Sequence, residues 1–157
     1  MKILVTGSAG FIGFHVAKYL LERNDTVFGL DNFNPYYSVK LKQDRDAEPR
    51  KYSKYKSIIM DLCDSDKLRD LFVSEKFDKV CNIAAQAGVR YSLEHPHAYI
   101  NSNIVGFLNI LDRCRHNHIS RLVYASSSAV IPNSPSRKRT ESIIPEASMQ
   151  PAKNQMS

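Results

Sequence analysis

An α/β fold, with a parallel sheet covered by helices on both faces, is predicted by three features of the sequence. Short apolar runs alternate with segments of helical periodicity. The apolar runs lack polar alternation, as strands buried on both faces do. A glycine-rich turn joins the first such run to the first helical segment. At 157 residues the chain has the size of one ordinary domain, and a hydrophobic fraction of 43% suffices for a real core.

The elements follow in order. Residues 2–6 read as a short buried strand. From residue 11 to 21 the apolar positions Phe11, Ile12, Phe14, Val16, Ala17, Leu20 and Leu21 fall at helical spacing. Residues 26–30 form a second apolar strand that ends at Asp31. A long polar loop is expected next, then a third strand at 57–60 ending at Asp61. Residues 64–74 are helical in pattern, with Asp64 or Ser65 as the N-cap. The fourth strand is expected at 79–84 and the fifth at 121–125. Between them a long helix over 99–114 carries Ile104, Phe107, Leu108 and Leu111 on one face. No internal repeat is present, and the periodicity fades after Ser136.

The strongest local signal is Thr6-Gly7-Ser8-Ala9-Gly10-Phe11-Ile12-Gly13, lying between strand and helix. Gly7 permits a tight turn, Gly10 lets the backbone approach a pyrophosphate, and Gly13 lets the helix pack closely on the sheet. The helix N-terminus then offers free N–H groups and a positive dipole end to the phosphates. Asp31 stands about 20 positions beyond the loop, at the end of the next strand, where a carboxylate binds ribose hydroxyls. An aspartate there favours NAD over NADP, because it repels a 2′-phosphate. The fold expected is therefore Rossmann-like, and the cofactor NAD.

Composition narrows the remaining classes. No apolar run approaches the roughly 20 residues needed to span a bilayer, and residues 1–5 show no secretory signal. Cys63, Cys81 and Cys114 are scattered and odd in number, which fits reduced thiols in a cytoplasmic protein. The net charge of +6 is spread along the chain, denser at 50–56 and 137–139. It accompanies no recognition module, so nucleic acid is not expected as a partner. His95 and His97, and likewise His116 and His118, have no third ligand nearby, so no metal site is expected.

With these residues in place, the sequence resembles the extended short-chain dehydrogenases/reductases, and within them the UDP-glucuronate 4-epimerase group of the NAD-dependent epimerase/dehydratase family. The resemblance runs from Met1 to about Val130. It is carried by segments 5–13, 31–37 (Asp-Asn-Phe-Asn-Pro-Tyr-Tyr), 61–62, 84–92, 99–111 and 124–130. The segment Gln86-Ala87-Gly88-Val89-Arg90-Tyr91-Ser92 is the most selective of these. Related 4,6-dehydratases place an Asp-Glu pair in the serine segment, which is absent here. The resemblance implies that Gly7, Gly10, Phe11, Ile12, Gly13, Asp31 and Asn32 contact NAD, while Asp61 and Leu62 hold the adenine. It implies that Ala84, Ala85 and Gln86 line the nicotinamide side, with Asn103 bracing the site from the helix. Ser127 and Ser128 would bind the sugar, Ser127 also serving catalysis. Arg90 either meets anionic groups of the substrate or caps its loop on the surface.

The family reaction inverts C4 of a UDP-sugar through a transient 4-keto sugar, and the parent enzymes are usually homodimers. The resemblance also implies a Tyr-x-x-x-Lys pair about 20 residues after the serine segment and a C-terminal substrate domain. Tyr124 is the last tyrosine in this sequence. Residues 1–130 are thus expected to form an incomplete NAD-binding domain, its sheet truncated after the fifth strand. Residues 131–157 are expected to be an irregular tail, with the substrate domain absent. Reading the codons of the tail one frame over permits Tyr-Ala-Ala-Ser-Lys, its tyrosine codon straddling Ser148 and Met149. A small deletion near residues 130–132 would account for that. The function expected is an NAD-binding fragment, inactive alone. A non-catalytic NAD-binding partner or regulatory module, and a fragment of the UDP-glucose 4-epimerase type, remain as alternatives.

Overall fold

The first strand, β1 (Lys2–Thr6), carries Leu4 and Val5 with no exposed surface at all, so both faces of the sheet are covered at its centre. The computed structural model describes residues 1–126. After β1 come α1 (Phe11–Glu22), β2 (Thr26–Asp31) and α2 (Val39–Ala47). A 3-10 turn at Pro49–Lys51 leads to β3 (Tyr55–Ile59), α3 (Ser65–Glu75) and β4 (Lys79–Asn82). Two short helices, α4 (Val89–Glu94) and α5 (Pro96–Tyr99), precede a π-helical turn at Ile100–Val105. α6 (Gly106–His116) and β5 (Leu122–Tyr124) complete the described fold.

The five strands are all parallel, in the order β3-β2-β1-β4-β5. Alternating residues divide the core in two. Ile3, Val5 and Val27 pack with Ala17 and Leu21 of α1 on one face. Leu4, Phe28, Leu30 and Val80 pack on the other with Leu68 and Phe72 of α3 and Ile110 and Cys114 of α6. The predicted Rossmann-like architecture with helices on both faces is therefore the observed one. The chain steps outward from β1 through β2 to β3, then returns to the other side of β1 for β4. That reversal opens a crevice at the C-terminal ends of the central strands, the usual ligand position in such sheets.

Several expected elements need correction. The polar stretch after Asp31 holds a helix, α2, and the third strand begins two residues earlier than expected and ends one earlier. α2 has no apolar face to announce it; its buried residue is Asp46. Its start is fixed by Ser38, whose hydroxyl accepts from the Leu41 N–H. The long helix expected over 99–114 is three pieces, with a π turn between two α segments. Its core side is also different from the apolar stripe. Gly106, Ile110 and Cys114 are buried, whereas Ile104 and Leu108 are about 60% exposed and Leu111 is 40% exposed. Gly106 sets this orientation by letting the helix approach: a Cβ there would lie 2.9 Å from the Leu62 Cβ. Asp64 is the N-cap of α3, its carboxylate accepting from the Lys67 N–H at 3.2 Å.

Candidate functional site

The glycine turn has the geometry its spacing predicts. Gly7 has φ +67°, the left-handed region, and its N–H donates to the Leu30 carbonyl at 2.7 Å. A Cβ on Gly7 would press on the backbone of Ala84, 2.8 Å from its nitrogen. A Cβ on Gly13 would fall 2.7 Å from the carbonyl carbon of Gly7 and still closer to its oxygen. Gly10 differs. Its Cβ would approach only the Gly7 carbonyl oxygen, at 3.1 Å, and otherwise point into open space.

Gly10 is also the N-cap of α1, and it supplies no side-chain cap. The first turn of α1 holds no acidic residue. Its leading N–H groups and the positive end of the helix dipole therefore face the crevice without an internal anion. An uncapped helix start beside a glycine cradle is what a bound pyrophosphate requires. Phe11 and Ile12 in that turn are 66% and 59% exposed and line the crevice instead of the core.

The crevice is a cleft of about 730 Å³, within the usual range for ligand sites. Gly7, Gly10, Phe11, Ile12 and Gly13 line its floor, and Asp31, Asn32, Asp61 and Leu62 one side. Ala84, Ala85 and Gln86 line the other. The structure thus brings these predicted residues to one cavity. Asn103 acts from behind it: its carboxamide accepts from the Gln86 N–H at 2.8 Å and donates to the Gln86 carbonyl at 3.0 Å. The π turn carries this asparagine, and such turns often sit at functional sites. Arg90 is exposed on α4 and does not line the cleft. Ser127 and Ser128, like the tail from residue 131, lie outside the described residues.

Asp31 is buried at the end of β2, its Oδ2 accepting from the Ala9 N–H at 3.2 Å and its Oδ1 from the Phe33 N–H at 2.8 Å. Each oxygen keeps lone-pair capacity for a hydroxyl group. Lys42 of α2 stands 3.6 Å from Oδ1 and is itself largely buried. Asn32 donates to Asp61 at 2.9 Å, joining the loops after β2 and β3. Burial alone would push the Asp61 carboxyl up. The Cys63 N–H and the Asn32 amide outweigh it and hold the group below the ordinary carboxylate value. Asn34 donates to the Gln86 side chain at 3.2 Å, tying the two sides of the cleft together.

Several cleft residues escaped the sequence reading. Lys42, Arg45 and Leu41 come from the unforeseen α2, Ser38 is its N-cap, and Tyr36 and Tyr37 come from the loop before it. The Arg45 guanidinium lies 5.7 Å from the Phe11 ring centroid, a cation–π distance. Behind the cleft, Asn82 was also unforeseen as the partner of Thr6, the first residue of the glycine motif. The Thr6 hydroxyl donates to the Asn82 carboxamide at 2.6 Å and accepts from the Ala84 N–H at 3.1 Å, locking the tips of β1 and β4 together. Among the described residues, no group of three or more His, Cys, Asp or Glu is placed to hold a metal ion. No described helix is long and apolar enough to cross a membrane.

Sheet order, glycine cradle and the buried carboxylate at the end of β2 together define a dinucleotide-binding domain of the Rossmann type. More specifically, the chain belongs to the NAD dependent epimerase/dehydratase family, whose profile matches residues 3–153. Protein CapI of Staphylococcus aureus is 52% identical over 134 residues, which are 83% of this chain and 39% of CapI. UDP-glucuronate 4-epimerase 2 of Arabidopsis thaliana is 45% identical over 131 residues, 83% of this chain and 30% of that enzyme. Among solved structures, UDP-glucuronic acid 4-epimerase from Bacillus cereus, in complex with UDP-glucuronic acid and NAD, superposes with a TM-score of 0.79 at 31% identity. That match covers 88% of this chain and 44% of the enzyme. The chain therefore spans less than half the length of each of these proteins.

Proposed function

We propose that this chain is the NAD-binding portion of a UDP-glucuronate-type 4-epimerase. The observation that carries the reading is the uncapped α1 start behind the Gly7–Gly10–Gly13 cradle, with the Asp31 carboxylate at the adjacent strand end. The family and the Arabidopsis and Bacillus relatives supply the reaction class. When bound, NAD supplies a hydride acceptor and donor, which inversion at C4 through a transient 4-keto sugar requires.

The chain's own residues divide the work of binding. The N–H groups of the first turn of α1 take the pyrophosphate, with Gly10 leaving room for it. Asp31 accepts from ribose hydroxyls, and Lys42 and Asn32 close that pocket. Asp61 and Leu62 hold the adenine. Ala84, Ala85 and Gln86 form the wall of the nicotinamide side, kept in place by Asn103. Ser127 and Ser128 meet the sugar, and a UDP-sugar is the substrate class. Arg90 is available to anionic groups from the surface of α4.

Removing the C4 hydroxyl proton calls for a tyrosinate with a nearby lysine. The resemblance places that pair after the serine segment, and Tyr124 is the last tyrosine of this sequence. The chain by itself is therefore proposed to bind NAD without turning over a UDP-sugar. The three free thiols suit a reducing, cytoplasmic setting. Calorimetric titration with NAD, paired with an assay for UDP-glucuronate epimerisation, tests this. Binding without turnover is expected. No binding at millimolar NAD, or measurable turnover, refutes it.

A further inference from the structure

Behind the phosphate cradle runs a line of polar side chains, none of which lines the cleft. Ser8, between Gly7 and Gly10, is 2% exposed, and its Oγ lies beside the Tyr55 hydroxyl, both oxygens crowding the space over the Gly29 Cα. Tyr55 in turn donates to Asp46 Oδ1 at 2.7 Å. The other carboxylate oxygen of Asp46 accepts from the Ser57 hydroxyl and from the Arg50 Nε, each at 2.7 Å. Asp46 is 3% exposed. The relay thus ends on a buried anion that accepts at both oxygens and orients the Tyr55 hydroxyl.

The sequence makes room for this relay. Gly29 sits in the middle of β2, where glycine weakens a strand. A Cβ there would collide with the Tyr55 hydroxyl and lie 2.8 Å from the Ser8 Oγ. Glycine at 29 is what lets the tyrosine of β3 reach across β2 to the loop after β1. The same helix that supplies Asp46 also sends Lys42 to Asp31 and Arg45 to the ring of Phe11. One short polar helix therefore grips the cradle from behind while it lines the ribose pocket in front.

We infer that Tyr55 and Asp46 are positioning residues for the phosphate cradle, holding Ser8 so that the backbone from Gly7 to Gly10 is preset for a pyrophosphate. This rests on the proposed NAD binding. The backbone restraint on Ser8 is its own N–H to the Leu30 carbonyl at 3.3 Å, a long bond, which leaves the Tyr55 hydroxyl beside its side chain as a second restraint on that residue. Without the relay the loop is free to sample arrangements in which its N–H groups do not converge, and affinity falls by the fraction of time so spent.

The test is a double-mutant cycle on the full chain, with NAD and adenosine as ligands. Tyr55→Phe and Ser8→Ala each remove one link, and each should weaken NAD binding about tenfold, the order expected for one buried hydrogen bond. The double variant should bind NAD no worse than either single one, because both break the same relay. Adenosine lacks the phosphates and should lose less than about twofold in either variant, whereas general destabilisation would weaken both ligands alike. NAD affinity unchanged in Tyr55→Phe, equal losses for NAD and adenosine, or additive losses of about a hundredfold would each overturn the positioning role. A wild-type chain that binds no NAD overturns the underlying reading itself, a result distinct from wild-type binding with unaltered variants.

Discussion

Replacing Gly10 and Gly13 with alanine, one at a time, separates what the glycine turn does for the fold from what it does for a ligand. At Gly13 the new methyl group meets backbone on three sides: the Gly7 oxygen, the Gly7 carbon at 2.7 Å and the Ser8 Cα at 3.0 Å. None of these atoms is the end of a flexible side chain. Overpacking of this kind costs about 1–3 kcal/mol, and rigid neighbours place it toward the upper end. The better helix propensity of alanine returns roughly 0.5–1 kcal/mol. A net loss of about 2 kcal/mol follows, which for a domain of this size lowers Tm by about 5–10 °C. At Gly10 the backbone, with φ −73° and ψ 170°, suits any residue. Alanine there gains roughly 0.4–1 kcal/mol from the unfolded chain and loses part of it to the 3.1 Å approach of the Gly7 oxygen. Stability should stay within about 1 kcal/mol of wild type, because the methyl group fills only open cleft. In the proposed binding mode that volume is where the pyrophosphate meets the first turn of α1. Loss of one charge-assisted bond there, worth about 1.5–3 kcal/mol, weakens NAD by about 10–100-fold. Thermal unfolding followed by circular dichroism and NAD titration by calorimetry read the two effects separately. A Gly10→Ala chain that binds NAD like wild type, or a Gly13→Ala chain as stable as wild type, refutes the reasoning.

Three further expectations follow from the same geometry. Asn103→Ala strands the N–H and carbonyl of the buried Gln86, and should cost about 2 kcal/mol, measured by chemical denaturation; an unchanged midpoint would contradict the bracing role. Asp61, Asp64 and Asp112 all titrate below the ordinary carboxylate value: Asp61 through the opposing effects described above, Asp64 through its bonds to Lys67, and Asp112 chiefly through Arg113. Their folded values are depressed, so the stability they contribute is complete above the unfolded value of about 3.9 and disappears as pH falls through the folded values. Tm should therefore be flat from about pH 5 to about pH 8 and drop below about pH 4, and a Tm independent of pH across that acid range would contradict this. Burial, then its contact with Asp61, pushes the Cys63 thiol up to about 11. Iodoacetamide at neutral pH should label it at least tenfold more slowly than a free thiol of pKa about 8.5, and labelling at the free-thiol rate would show the contact to be absent.

The strands and the glycine turn were legible because their signals are local. β1 and β2 are apolar along their length since both faces are buried, and Gly7, Gly10 and Gly13 each answer a steric demand set within a few residues. α2 was not legible. Its buried residue is an aspartate, and what holds it is Tyr55, nine positions further on, together with Ser57 and Arg50. Polar composition alone reads as a loop when the stabilising partners are tertiary. The core side of α6 was misread for a related reason. Periodicity shows that Ile104, Leu108 and Leu111 share a face, but the face that approaches the sheet carries Gly106, Ile110 and Cys114. Close approach at Gly106 decides which face turns inward, and the longer apolar stripe stays outside. Tyr55 and Asp46 had no sequence signal as site residues, because they act through Ser8. The one trace of them was Gly29, a glycine inside a strand, whose purpose appears only with the tyrosine hydroxyl above it.

The most direct test of the central claim is to titrate NAD into the isotopically labelled chain and follow backbone amide shifts. The account predicts saturable changes at Gly7, Gly10, Phe11, Ile12 and Gly13, at Asp31 and Asn32, and at Asp61 and Gln86, with the outer face of α6 unmoved. Absence of any saturable change at millimolar NAD, or changes clustered away from the cleft between β1, β2 and β4, would contradict it.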